Sequence, residues 1–297
     1  MRYFYPILMT LLAIASSTTF AQKPTEQEEL ALAAMEGLMA QPAERALPII
    51  KKVLAGAQTT LVKQRALFVL SQIDSPEADE ILLQTSRSGD ASLRKEAIRS
   101  IGIGGRAKSL AALQDIYAAG DADVKEQVLH AWLIAGRKQE VYQAALNAKS
   151  DEEAGEAIHT LSVMGAVEEL RKLGERANAS KRLVDAYAIS GDLASLRKIA
   201  EGNAEPEVRA EAVRKIGIIS SDAARSALRD IYSRTADAGI KRAALEGMLI
   251  SGDEQGVLTL YRSATTTEEK RALLRTLTMM DSDAALEAID AALEGKK

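Results

Sequence analysis

The 297-residue chain contains no cysteine. That excludes disulfides, thiolate zinc sites, cysteine-ligated iron–sulfur clusters and a cysteine nucleophile. Phe and Trp are nearly as scarce, at three and one among 11 aromatics. β-Sandwiches and barrels favour aromatic and β-branched residues, so this composition suits an all-β fold poorly. An excess of basic charge is also missing. The 38 Lys+Arg stand against 42 Asp+Glu, a formal net charge of −4, which argues against a nucleic-acid binder. The chain carries no Gly-x-Ser-x-Gly, no Walker sequence and no His-Glu-x-x-His. What it has is aliphatic: 47% of residues are hydrophobic, mostly Ala, Leu, Ile and Val. That is enough to bury a core, so the composition is not that of a disordered chain.

Residues 1–21 read as an address. Arg2 supplies a minimal positive end, residues 3–15 are apolar and residues 16–19 are polar. Thr19 and Ala21 satisfy the small-residue rule at −3 and −1, which predicts cleavage before Gln22. The apolar run is short for a transmembrane helix, and no second run of spanning length follows. The expectation is an exported protein, periplasmic or secreted, with no membrane span after cleavage. Without disulfides, burial alone must hold its fold. Removing the segment leaves seven aromatics: Phe68, Tyr117, Trp132, Tyr142, Tyr187, Tyr232 and Tyr261.

The remainder repeats itself. Asp90-Ala-Ser-Leu-Arg-Lys-Glu-Ala-Ile-Arg-Ser-Ile-Gly102 reappears as Glu205-Pro-Glu-Val-Arg-Ala-Glu-Ala-Val-Arg-Lys-Ile-Gly217. Eight copies can be anchored on Ala66, Ala97, Val128, Ala157, Leu183, Ala212, Ala244 and Leu273, about thirty residues apart. Apolar residues recur one and four after each anchor, and four before it in five copies (Val62, Leu93, Val124, Val208 and Ile240), which is one face of an α-helix. Seven before the anchor stand N-cap residues such as Asp90, Asp121, Ser150 and Asp237. Eight after it stand Gly105, Gly136, Gly165, Gly191 and Gly252, suited to the left-handed residue that ends a helix. Asp74, Ser220 and Asp281 take that place in the other copies. A second amphipathic segment fills each copy, for example 107–119, 139–148, 167–176, 223–233 and 254–263. Each unit is thus an antiparallel helix pair that buries its apolar stripe only by stacking on its neighbours.

The frame of acidic cap, Val/Leu-Arg/Lys, Ala-Ile/Leu, Leu/Ile and Gly resembles HEAT and HEAT-like repeats. Asp90, Leu93, Arg94, Ala97, Ile98, Ile101 and Gly105 carry it in one copy. The short period looks closer to phycobilisome-lyase-type repeats than to those of large scaffolds. The resemblance implies an all-α fold: a right-handed α-solenoid of stacked antiparallel helix pairs, about eight repeats over residues 59–297. Residues 22–58 read as a capping helix pair, with Thr25 and Glu28 forming a capping box and Pro48 kinking the second helix. The fifth copy departs, with Arg176 at the cap position and Ser180 where Arg or Lys is expected, which predicts a break or a changed curvature there. Asp115-Ile-Tyr117 and Ile101-Gly-Ile103 recur 115 residues later as Asp230-Ile-Tyr232 and Ile216-Gly-Ile218, so four units look copied once.

Two rows of side chains carry the functional expectations. Three before the anchor lie Lys63, Arg94, Lys125, Arg209, Lys241 and Lys270. Arg94, Lys125, Arg209 and Lys241 read as a structural ladder, paired with the caps Asp90, Asp121, Glu205 and Asp237. Two after the anchor, opposite the core, lie Phe68, Arg99, His130, His159, Asp185, Arg214, Glu246 and Arg275. If this helix lines the concave surface, Phe68, Arg99, His130, His159, Arg214 and Arg275 are the candidate partner contacts. A metal shared by the two histidines would need Glu126 or Glu156 as well, and neither metal nor cofactor is expected. Trp132 falls at a core position. The function expected is a non-enzymatic scaffold or adaptor that binds a protein or peptide, not nucleic acid. The resemblance leaves two alternatives: a HEAT-like lyase, isomerase or cofactor handler, or a regulatory adaptor of an envelope-stress sensor.

Overall fold

The computed structural model describes residues 23–176, 180–280 and 283–293. The expected leader at 1–21 and the helix end assigned to Asp281 lie outside these residues. The described residues form helices alone, in two rows. One row holds α1 (Glu26–Leu38), α3 (Thr60–Gln72), α5 (Ala91–Gly104), α7 (Ala122–Ile134) and α9 (Asp151–Val163). It continues with α11 (Lys181–Ile189), α13 (Pro206–Ile216), α15 (Ala238–Ile250) and α17 (Thr267–Thr278). The other row holds α2 (Ala43–Ala55), α4 (Pro76–Ser88), α6 (Ala107–Ala119), α8 (Lys138–Leu146) and α10 (Val167–Arg176). It ends with α12 (Leu193–Glu201), α14 (Asp222–Arg234), α16 (Glu254–Ser263) and α18 (Asp283–Leu293). Each even helix packs as a hairpin with the odd helix that follows it. Successive odd helices also pack on one another, more closely than the even ones do, so the odd row is the inner one.

The anchors explain the packing. All eight lie on odd helices and all are at most 2% exposed. Four residues on, Leu70, Ile101, Trp132, Leu161, Tyr187, Ile216, Met248 and Leu277 are buried as well. The ends are set locally. Asp90, Asp121, Ser150, Asp237 and Thr266 accept backbone N–H bonds in the first turn of their helices. Gly105, Gly136, Gly165, Gly191 and Gly252 all adopt positive φ, the left-handed conformation their positions call for. Thr25 and Glu28 form the reciprocal capping box, and Pro48 lies inside α2. The fifth copy is corrected: the cap is Ser180, which accepts from Leu183 N–H, and α11 is only nine residues long. Ser180 takes the cap because α10 extends through Arg176 itself.

The duplicated Ile-Gly-Ile has a packing reason. A Cβ on Gly102 would lie 2.8 Å from the Cα of Ala131, and one on Gly217 would enter the backbone of Gly247. Both glycines let inner helices touch backbone to backbone, α5 on α7 and α13 on α15. The chain keeps the same device 115 residues apart.

The basic ladder is built differently from the cap pairs expected. Asp90, Asp121 and Asp237 spend their carboxylates on helix N–H groups and do not pair with Arg94, Lys125 and Lys241. Lys125 and Lys241 instead reach the next repeat, to Glu153 at 2.9 Å and Glu269 at 2.5 Å. Arg209 donates to the carbonyl of Ala200 at the end of α12, and Arg94 makes no ion pair among the described residues, its Nε being buried and unpartnered there. Other residues complete the inner row. Arg65 pairs with Glu36, Lys95 with Asp123, Lys215 with Asp185 and Arg214 with Glu246. Gln64 bonds Ser92, and Arg182 donates to the Asp151 carbonyl. Every junction from α1 to α17 therefore carries a polar tie. On the outer row, Arg171 grips the buried Asp192 with two bonds of 2.8 Å. These ties specify register, while burial of the aliphatic stripes supplies most of the stability.

Candidate binding face

The residues two after each anchor lie on the outward surface of the inner helices, but they are not equally available. Arg99, His130, His159 and Arg275 are exposed. Phe68 is half-buried against the core and covered by the Arg65 guanidinium at 4.9 Å. Arg214 is held by Glu211 at 2.5 Å and by Glu246 at 3.5 Å, and those carboxylates raise its pKa. Glu211 is lowered in return: burial opposes its charge, but the bond from Arg214 outweighs it. Arg214 is thus a tie between α13 and α15, and Phe68 is part of the packing. Of the six expected contacts, four are exposed, Arg99 among them although it pairs with Glu96 at 3.3 Å. Among the described residues no three His, Asp or Glu converge as a metal site.

A second row, which the sequence reading passed over, is more informative. Ile134, Val163, Ile189, Ile218, Ile250 and Met279 are between 49% and 62% exposed. Each lies six residues after its anchor, at or just beyond the end of an inner helix, in six consecutive repeats. Ile103 continues the row one repeat earlier and is half-buried. Positions two and six after the anchor are one helical turn apart, so the polar row and the aliphatic row share a face. Between α9 and α11 they meet in a groove of about 210 Å³ whose lining includes His159, Asp185 and Ile189. Single exposed aliphatics need no explanation, but these six recur at one offset along one edge of the stack.

A deeper opening separates α7 from α9, where the inner row is less tightly packed. Its lining includes Tyr117, which packs against Trp132 with ring centroids 5.3 Å apart and planes tilted by 35°, the Lys125 ammonium lying 5.4 Å from the Tyr117 ring centre. Lys125 bonds Glu153, whose pKa is lowered: burial opposes ionisation, and the bond from Lys125 outweighs it. Burial and the nearby Glu153 charge raise the Tyr117 pKa. The same Tyr–Lys–Glu arrangement recurs at α15 and α17 as Tyr232, Lys241 and Glu269, with Lys241 5.2 Å from the ring.

The class of protein is now defined: a helical-repeat stack with a row of exposed aliphatic side chains along its inner helices. Residues 47–132 match the family model for HEAT repeats. No curated protein matches the chain. Among solved structures, human deoxyhypusine hydroxylase in complex with glycerol is similar at 14% identity and a TM-score of 0.34, covering 86% of this chain and 98% of that one. The complex of CpcE and CpcF of phycocyanin lyase from Nostoc is similar at 17% identity and a TM-score of 0.34, covering 93% and 99%.

Proposed function

We propose that this chain is a non-catalytic scaffold that binds a polypeptide partner along the inner helices. The observation that supports this reading most is the row of six exposed aliphatic side chains in register with the repeats. A partner laid along the row would cover one such residue per helix, at steps of roughly 8–10 Å. Over six helices that is a strip about 45 Å long, comparable to one side of a standard protein interface. Arg99, His130, His159 and Arg275 flank the strip as adaptable polar contacts. Export to the periplasm or the medium is part of the proposal and rests on the leader pattern of residues 1–21. Among the described residues no helix is long and apolar enough to cross a membrane.

The test is capture from envelope and culture fractions with the whole protein as bait, compared with the Ile189→Glu/Ile218→Glu variant. Both side chains already face water, so circular dichroism should show an unchanged fold. A partner retained by the wild type and lost by the variant supports the reading. Equal retention by both contradicts it.

A further inference from the structure

The two ends of the described stack are open, and they match. Counted like the other copies, α1 has its anchor at Ala31, with Leu32 and Met35 one and four after it. In seven of the eight inner helices α3 to α17 the residue three after the anchor is buried. It meets the preceding inner helix, as Ala131 meets Gly102 and Gly247 meets Gly217. On α1 that residue is Ala34, which is exposed, and Leu30 one turn away is 73% exposed. Among the described residues no helix precedes α1 to cover them. At the other end, every even helix from α2 to α16 packs on the odd helix that follows it, and α18 has no such helix among the described residues. Its Leu286 and Leu293 are 60% and 82% exposed. Terminal repeats of a soluble stack turn a polar face outward, and these two do not.

Charge and register say what fits. At three inner junctions a polar tie runs from the residue two before one anchor to the residue five before the next. These are Gln64 to Ser92, Lys95 to Asp123 and Lys181 to Glu207. On α17 the first of these places holds Arg271, and on α1 the second holds Glu26. Both are exposed, and neither forms an ion pair among the described residues. Lys270 beside Arg271 and Glu29 one turn from Glu26 are exposed and unpaired in the same way. One end therefore offers the basic half of the ladder and the other end the acidic half.

We propose that a second copy of this chain docks end to end, its α1 stacking on α17 and α18 of the first. Arg271 then meets Glu26 of the second copy in the register that Lys95 and Lys181 use within the chain. Ala34 takes the buried place its counterparts have, α1 supplies the odd helix that α18 lacks, and Leu30, Leu286 and Leu293 leave water. The contact is head-to-tail, so copies add until they close into a ring or remain an open chain. It does not depend on what lies along the inner face.

Sedimentation velocity on the purified protein tests this. The weight-average mass is expected to rise with protein concentration to twice that of one chain or more, and to rise less at high salt. Ala34→Arg puts a bulky cation at an exposed position. Its circular dichroism should be unchanged and its mass should stay that of one chain. Lys270→Glu/Arg271→Glu and Glu26→Lys/Glu29→Lys should each weaken association tenfold or more, and an equimolar mixture of the two should restore it. A single-chain mass at every concentration, assembly unaffected by Ala34→Arg, or a mixture no better than its components overturns the proposal. A single-chain mass in protein that retains Met1 also overturns it, and gives the open face of α1 to residues 1–21.

Discussion

Gly217 shows how a single position is fixed by its neighbour, because a side chain there would occupy the backbone of Gly247. Gly217→Ala should destabilise by about 1–3 kcal/mol, the usual cost of overpacking, read from urea unfolding. Gly136 differs: a Cβ would meet nothing within 4 Å, but φ is +68°. Gly136→Ala should therefore cost only about 1–2 kcal/mol, from backbone strain alone. The first residue was legible only as half of a duplicated Ile-Gly-Ile. The second was legible outright, since helix-end glycine is a local rule. Asp192 was not marked in the sequence at all. It caps α12 and takes both bonds from Arg171, although Arg171 lies 21 residues earlier on another helix. Nothing in the local pattern pairs them.

The inner helices were readable because each is framed at both ends and buries one stripe. The rows that face water were read less well. The exposed aliphatic row lies only about 40° around the helix from the row singled out beforehand. The sequence did contain the sign, an aliphatic residue six after the anchor in seven successive copies, at an angle away from the core. Partners across repeats were beyond reach, because i, i+4 spacing suggested pairs that the caps had already claimed. The ties between helices set a pH dependence. Glu153 and Glu269 have pKa values below the ordinary 4.5, chiefly through the bonds from Lys125 and Lys241. Their contribution is fully present above that value and is lost as pH falls through the lowered pKa. The melting temperature should therefore fall as pH drops below 4.5 and through the lowered pKa values. In Glu153→Gln/Glu269→Gln the melting temperature should be lower at pH 7 and its fall with acid shallower. A parallel fall in both proteins would show that the ties contribute nothing.

Over the full stack, repetition accounts for the composition noted at the outset. Small cores of Ala, Leu, Ile and Val, repeated along the rows, need few aromatics. Three of the seven mark joints: Tyr117 and Tyr232 at the two equivalent junctions, and Trp132 beside the first. Duplication fixed the joints and left the rims free to diverge, acidic at α7–α9 and basic near Arg242, Arg271 and Arg275. Stability in such a stack depends on nearest neighbours, so a variant at one junction should unfold its own half first. If residues 1–21 are a leader, the mass of the protein recovered from the envelope or medium will correspond to a chain starting at Gln22. An intact Met1 would contradict export by that route.

The central claim is that a polypeptide lies along the inner face. A photo-crosslinking amino acid placed at Ile189, on the aliphatic row, and separately at Asp222, fully exposed on the outer helix α14, tests it most directly. The account predicts a discrete crosslinked partner from position 189 and none from position 222. Crosslinks from 222 with none from 189 would contradict it.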